Sequence, residues 1–131
     1  TLLELLLNNG YLPFITCLAT DAQGQDYNVN GDSFAGALAG ALKASCLFLL
    51  TDVDGLLRDR HDPATLIAKL ASNNVEQLIE EGVIAGGMIP KLQACQTALA
   101  QGAERAKILN GIKPDQLRQA LETGIGTTVT A

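Results

Sequence analysis

Three stretches of this chain bring together residue types that can do chemistry. The most informative is Gly86-Gly87-Met88-Ile89-Pro90-Lys91, preceded by Gly82-Val83-Ile84-Ala85. Two glycines and a proline set Lys91 near the first turn of a predicted helix. A helix N-terminus is the positive end of the helix dipole, so a cation there is mildly unfavourable on its own. Free N–H groups and an ammonium converging on one point suit a bound phosphate. The plain alternative is a solvated surface lysine. The second stretch, Thr51-Asp52-Val53-Asp54-Gly55, follows an apolar run. It reads either as a simple turn or as a loop that cradles a nucleotide. It is not a P-loop magnesium site, because no G-x-x-x-x-G-K-[ST] occurs in the chain. The third, Asn28-Val29-Asn30-Gly31-Asp32, lies between a predicted strand and a helix. Asn and Asp in such places commonly cap helices. Three of them in alternation, with Gly31 permitting close approach, also suit a polar site beyond a strand end, where open α/β sheets bind ligands.

Other candidates carry less. His61 stands among Arg58, Asp59, Arg60 and Asp62 with no second histidine in the chain, and it is assigned no role. Ser33 and Ser45 have no visible base partner, so nucleophilic hydrolysis is not supported. Cys17, Cys46 and Cys95 are odd in number and widely spaced. They read as small buried hydrophobes in a reducing compartment rather than as a disulfide framework or a zinc site.

The elements that must position these residues follow from apolar periodicity and turn signals. Leu2 to Leu7 form an apolar helical segment ended by Asn8-Asn9-Gly10. Tyr11 to Leu18 reads as a buried strand, Asp21 to Gly24 as a turn, and Asp26 to Val29 as the returning arm of a hairpin. Helical spacing of Phe34, Leu38 and Leu42 predicts a helix over 32–42, with Ala35, Gly36, Ala39 and Gly40 as small positions beside that stripe. Cys46 to Leu50 is uninterruptedly apolar, a strand covered on both faces as in a parallel sheet. Beyond it lie a polar loop from Arg58 to Pro63, a possible strand at 66–70, helices over 74–81, 88–101 and 114–121, and strands over 105–109 and 126–130. Strands alternate with helices, so the expected fold is α/β: a three-layer α/β/α sandwich around a mainly parallel sheet, with one β-hairpin.

The whole fits one domain. The sequence has 131 residues, is 47% hydrophobic and carries a formal charge of −5. That composition supports a packed core and argues against disorder. No basic cluster could supply a nucleic-acid face, and no apolar run reaches the length of a membrane span. A cytoplasmic protein is expected. The start at Thr1, already inside a helical pattern, reads as that of a fragment.

In order and spacing the three stretches resemble the amino-acid kinase family, and most closely its acetylglutamate kinase branch. The resemblance runs from the first helix to Gly124-Ile125-Gly126-Thr127, with the Gly-Gly-Met-Ile-Pro-Lys segment its most specific part. It implies ATP-dependent phosphorylation of the side-chain carboxylate of N-acetyl-L-glutamate, a step of arginine biosynthesis, with magnesium arriving on ATP. Lys91 would stabilise the transferring phosphoryl group and Asp32 would hold lysine ammonium groups in place. Asn28, with Asn30 beside it, would bind acetylglutamate. Asp52, Val53, Asp54, Gly55, Leu56 and Leu57, together with Val83, Ile84, Ala85, Gly87 and Met88, would line the nucleotide pocket. No protein metal site and no nucleic-acid or membrane partner is implied, and the intact enzyme would be a homo-oligomer.

Two departures stand out. Gly31 replaces the alanine usual in this branch. Family members are also about twice this length, and their N-terminal half carries a glycine-rich phosphate loop, a second lysine and a substrate arginine, none of which is found here. The chain would then be a C-terminal, nucleotide-binding half, inactive or nearly so on its own. Other kinases of the superfamily (aspartate, uridylate or carbamate) and a non-catalytic nucleotide-binding module remain the alternatives.

Overall fold

The computed structural model describes residues 1–131 and divides between Gly31 and Asp32 into two units. The first begins with helix α1 (Leu2–Asn8), whose N-cap Thr1 accepts the Glu4 N–H through its side chain. The helix ends where Gly10 takes a φ of 79° and the Asn9 side-chain amide donates to the Leu5 carbonyl at 2.8 Å. Strands β1 (Leu18–Thr20) and β2 (Asp26–Asn28) pair antiparallel, Leu18 opposite Asn28. Their turn is organised by the Asp21 carboxylate, which accepts the N–H groups of Gln23 and Gln25.

The expected buried strand over 11–18 is not there. Only Leu18 joins a strand, and Tyr11, Leu12, Phe14 and Ile15 are exposed. Pro13 lacks the N–H a ladder needs. The hairpin offers three residue pairs and no third strand, which is too little to bury that apolar run.

The second unit carries helix α2 (Gly31–Ala41), which starts at the junction, then β3 (Leu47–Thr51), β4 (Lys69–Ala71), α3 (Val75–Glu80), α4 (Met88–Ala100), β5 (Ala106–Asn110), α5 (Gln116–Glu122) and β6 (Thr127–Thr130). The sheet order is β3-β5-β6-β4. β3 with β5 and β4 with β6 are parallel, and only β5 with β6 is antiparallel. The mixed α/β class with a mostly parallel sheet is therefore as the alternation of elements predicts.

Helices cover both faces of β5, because alternate side chains of a strand point to opposite sides. Ala106 and Ile108 join the core with Leu92, Cys95, Ala98 and Leu99 of α4. Lys107 points the other way. Its ammonium, on a side chain only 7% exposed, donates to the carbonyls of Ala120 (2.9 Å) and Thr123 (3.2 Å) at the end of α5. A helix C-terminus is the negative end of the dipole and can hold a cation without a carboxylate.

The small-residue stripe of α2 has a specific use. A Cβ at Gly36 would lie 2.5 Å from the Ala94 carbonyl oxygen, and one at Gly40 would lie 2.4 Å from Gln101 Cβ. Only glycine lets α2 approach α4 this closely.

Several boundaries differ from expectation for physical reasons. Leu66 does not start a strand but bridges antiparallel to Leu57, and β4 begins at Lys69. α5 begins at Gln116 rather than Pro114, because Asp115 takes a left-handed φ of 60°. Leu50 is half-exposed rather than covered, since β3 is an edge strand. No helix is long and apolar enough to cross a membrane.

Candidate functional site

β3 and β5 are parallel neighbours with Thr51 opposite Asn110, so their carboxyl ends open into adjacent loops. The loop after β3 is fixed along its length. The Gly111 N–H donates to the Thr51 carbonyl at 2.7 Å. Asp54 accepts from the Asn110 side-chain amide at 2.9 Å and from the Lys113 ammonium. Leu56 donates its N–H to the fully buried Thr127 hydroxyl at 2.8 Å, and that hydroxyl donates to the Ile67 carbonyl, also at 2.8 Å. Gly55, at φ 148°, leaves no room for a side chain: its Cβ would meet Thr127 Oγ1 at 2.7 Å. The hydrogen bond from the Lys113 ammonium, aided by that from the Asn110 amide, holds the Asp54 carboxyl below the usual carboxylate value.

Opposite this loop lies the segment joining α3 to α4. Val83 and Ile84 donate their N–H groups to the Leu78 carbonyl as α3 ends. Gly82 and Gly86 take positive φ values of 75° and 56°. Met88 and Ile89 then donate to the carbonyls of Ala85 and Gly86. Those two amides are thus spent within the turn, and Pro90 has none to offer. The expected fan of free N–H groups at the start of α4 is correspondingly reduced, and the cation of its first turn is the Lys91 ammonium.

Lys91 lies one turn into α4, and its ammonium donates to both carboxylate oxygens of Asp32, at 3.0 and 3.2 Å. Their side chains are 20% and 21% exposed. The close glycine contacts of α2 with α4 bring the two N-terminal turns side by side. Asp32 is favourable at the start of its helix, and it offsets the cation at the start of the other.

Between the two segments is a cleft of about 720 Å³, within the usual size range of small-molecule sites. It is lined by Val53, Gly55, Leu56 and Leu57 on one side and by Val83, Ala85, Gly87 and Met88 on the other. A smaller hollow lined by Thr51, Asp52 and Lys91 adjoins it, with Val53, Gly87 and Met88 bordering both.

The remaining sequence candidates are distributed differently. Ile84 faces the core, 2% exposed, and the Asp54 side chain turns to the β5–α5 loop. Asn28 ends β2, where the Cys17 thiol points weakly at its Oδ1 across 4.0 Å; it and Asn30 lie in the first unit. Arg58, Asp59, Arg60, Gly82 and Gly86 also line the cleft. The first three look like an ordinary polar loop in sequence. Their one signal was the bounding apolar pair Leu57 and Leu66, whose bridge folds the loop back beside the cleft. His61 is exposed in that loop. Of the cysteines only Cys95 is buried; Cys17 and Cys46 are partly exposed, so the expectation of three buried thiols fails for two. Burial, with the Asp32 charge second, pushes the Cys95 thiol up to about 12.

Comparison with known proteins agrees with this architecture. The model described as "Amino acid kinase family" matches residues 1–110. The chain is 46% identical over 132 residues to the acetylglutamate kinase of Trichodesmium erythraeum, covering 99% of this chain and 45% of that one. It is 46% identical over 131 residues to the acetylglutamate kinase of Methanocaldococcus jannaschii, covering 98% and 44%. The chain thus spans about half the length of the curated relatives it matches. Among solved structures, N-acetylglutamate synthase from Neisseria gonorrhoeae, complexed with coenzyme A and N-acetyl-glutamate, superposes with a TM-score of 0.88 at 28% identity, over 99% of this chain and 30% of that one. Carbamate kinase from Giardia lamblia bound to AMP-PNP is similar in fold, with a TM-score of 0.69 at 20% identity, over 98% of this chain and 43% of that one.

Proposed function

The chain belongs to the amino acid kinase family, and on that premise we propose that it supplies the nucleotide site and part of the catalytic site for phosphorylation of N-acetyl-L-glutamate by ATP. The observation that carries this reading is the adjacency of the large cleft and the hollow at Lys91, which share Val53, Gly87 and Met88. A nucleotide base and ribose in the cleft would direct the phosphates past these residues toward the Lys91 ammonium.

The chemistry asks little of the protein beyond placement and charge. An oxygen of the substrate side-chain carboxylate attacks the γ-phosphorus. The bond from that phosphorus to the β,γ-bridging oxygen breaks, and ADP leaves with the electron pair. Negative charge builds on the phosphoryl oxygens and the leaving oxygen, where Lys91 would stabilise it. Asp32 would hold the ammonium in position. Asn28 and Asn30 are proposed to bind acetylglutamate through their amides.

Magnesium would arrive on the phosphates of ATP and would neutralise part of their charge. The reading also takes the working enzyme to be a homo-oligomer, which light scattering would test.

The test of function is turnover. In a protein of the relatives' full length containing this chain, Lys91→Ala should abolish most phosphorylation of N-acetylglutamate while nucleotide affinity changes little. Unchanged turnover would remove Lys91 from the mechanism. The 131 residues alone should turn over far more slowly than that longer protein.

A further inference from the structure

Asp54 sits between two residues that line the cleft, Val53 and Gly55, yet its carboxylate faces away from it. It is held from the far side by two donors of a different loop. The Asn110 side chain is buried and bonded at both ends, its Oδ1 accepting the Ile112 N–H at 3.0 Å while its amide donates to Asp54 at 2.9 Å. Lys113 adds its ammonium, 2.7 Å from Asp54 Oδ2 and 2.6 Å from Oδ1. The lining loop is otherwise tied only at its ends, by the Thr51 carbonyl to Gly111 and by the Leu56 N–H to Thr127.

We propose that Asp54 is a positioning residue for nucleotide binding, bracing the Val53–Gly55 wall of the cleft against Asn110 and Lys113 without itself touching the nucleotide. This rests on the nucleotide reading of the cleft and assigns roles to Asn110 and Lys113, two residues that lie outside it. The brace joins loops at the carboxyl ends of adjacent parallel strands. Loss of the carboxylate frees the middle of the wall, and the cleft must then be ordered at the expense of binding. The ion pair is exposed enough to contribute modestly, so the expected effect is a change in affinity rather than loss of the fold.

The experiment is calorimetric titration of the full chain and its variants with Mg·ADP, at a temperature where circular dichroism shows all of them folded. Asp54→Ala and Lys113→Ala should each weaken binding about fivefold. The double variant should be little worse than either alone. Wild-type affinity in Asp54→Ala would overturn the brace and leave the nucleotide reading intact. So would strictly additive losses in the double variant. A folded wild-type chain that takes up no Mg·ADP would overturn the nucleotide reading first, and the brace with it.

Discussion

The Lys91 ammonium rests on both oxygens of the Asp32 carboxylate, at 3.0 and 3.2 Å, although 59 residues separate them. This bidentate contact fixes the cation in the hollow that adjoins the cleft, where the proposed phosphoryl transfer would need it. Lys91→Ala should therefore lower turnover by about 10²–10³, the usual loss when one charge-stabilising donor is removed. Asp32→Ala leaves the ammonium in place but unheld. Steady-state kinetics on a protein of the relatives' full length containing this chain should show a smaller fall in kcat for Asp32→Ala than for Lys91→Ala.

That pairing depends on how closely two helices approach. Gly36→Val drives a side chain into the Ala94 backbone, since even its Cβ would lie 2.5 Å from that carbonyl oxygen. The expected cost is about 1–3 kcal/mol of stability, read as a lowered denaturation midpoint. Gly31→Ala has open space around the new Cβ and should leave the midpoint unchanged.

Much of this arrangement was legible in the sequence because it rests on local signals. The Ala-Gly positions of α2 were visible as small residues beside its apolar stripe, though not the helix they pack against, and the apolar run ending at Thr51-Asp52 announced a buried strand with a loop at its carboxyl end. Gly86-Gly87 before Pro90 announced the start of α4. Contacts between distant segments could not be read the same way. Nothing near Asp54 indicates that its side chain turns toward Asn110 and Lys113, because that follows from the parallel pairing of β3 with β5. Spacing likewise could not show that the Met88 and Ile89 amides are consumed in a turn. The segment from Tyr11 to Leu18 misled for a different reason: apolar composition indicates a preference for burial, but burial requires a partner surface, and a three-pair hairpin supplies none.

The acid behaviour of Asp54 follows from its donors. Its pKa is lowered from 3.8, first by Lys113 and then by Asn110. A carboxylate depressed in the folded state contributes stability that is fully present above its unfolded pKa. That contribution is lost as pH falls below about 4 and through the lower folded value. Titration followed by NMR should place the Asp54 midpoint below that of an ordinary aspartate in the native protein and move it upward in Lys113→Ala. An unmoved midpoint would show that the ion pair does not persist in solution.

The three thiols should separate by reactivity. Cys95 is buried with its pKa pushed up to about 12, so almost no thiolate forms there at pH 8, while Cys17 and Cys46 are partly exposed. A thiol reagent should modify Cys17 and Cys46 in the native protein and reach Cys95 only on unfolding. Rapid native labelling of Cys95 would contradict the packing of α4 against α2.

If residues 51–57 and 83–88 form the walls of a nucleotide site, calorimetric titration of the folded chain with Mg·ADP will show saturable binding at one site per chain. That binding should weaken when Gly87→Val places a side chain in the cleft wall. A chain that is folded by circular dichroism, yet shows no saturable heat with Mg·ADP, would contradict the nucleotide reading.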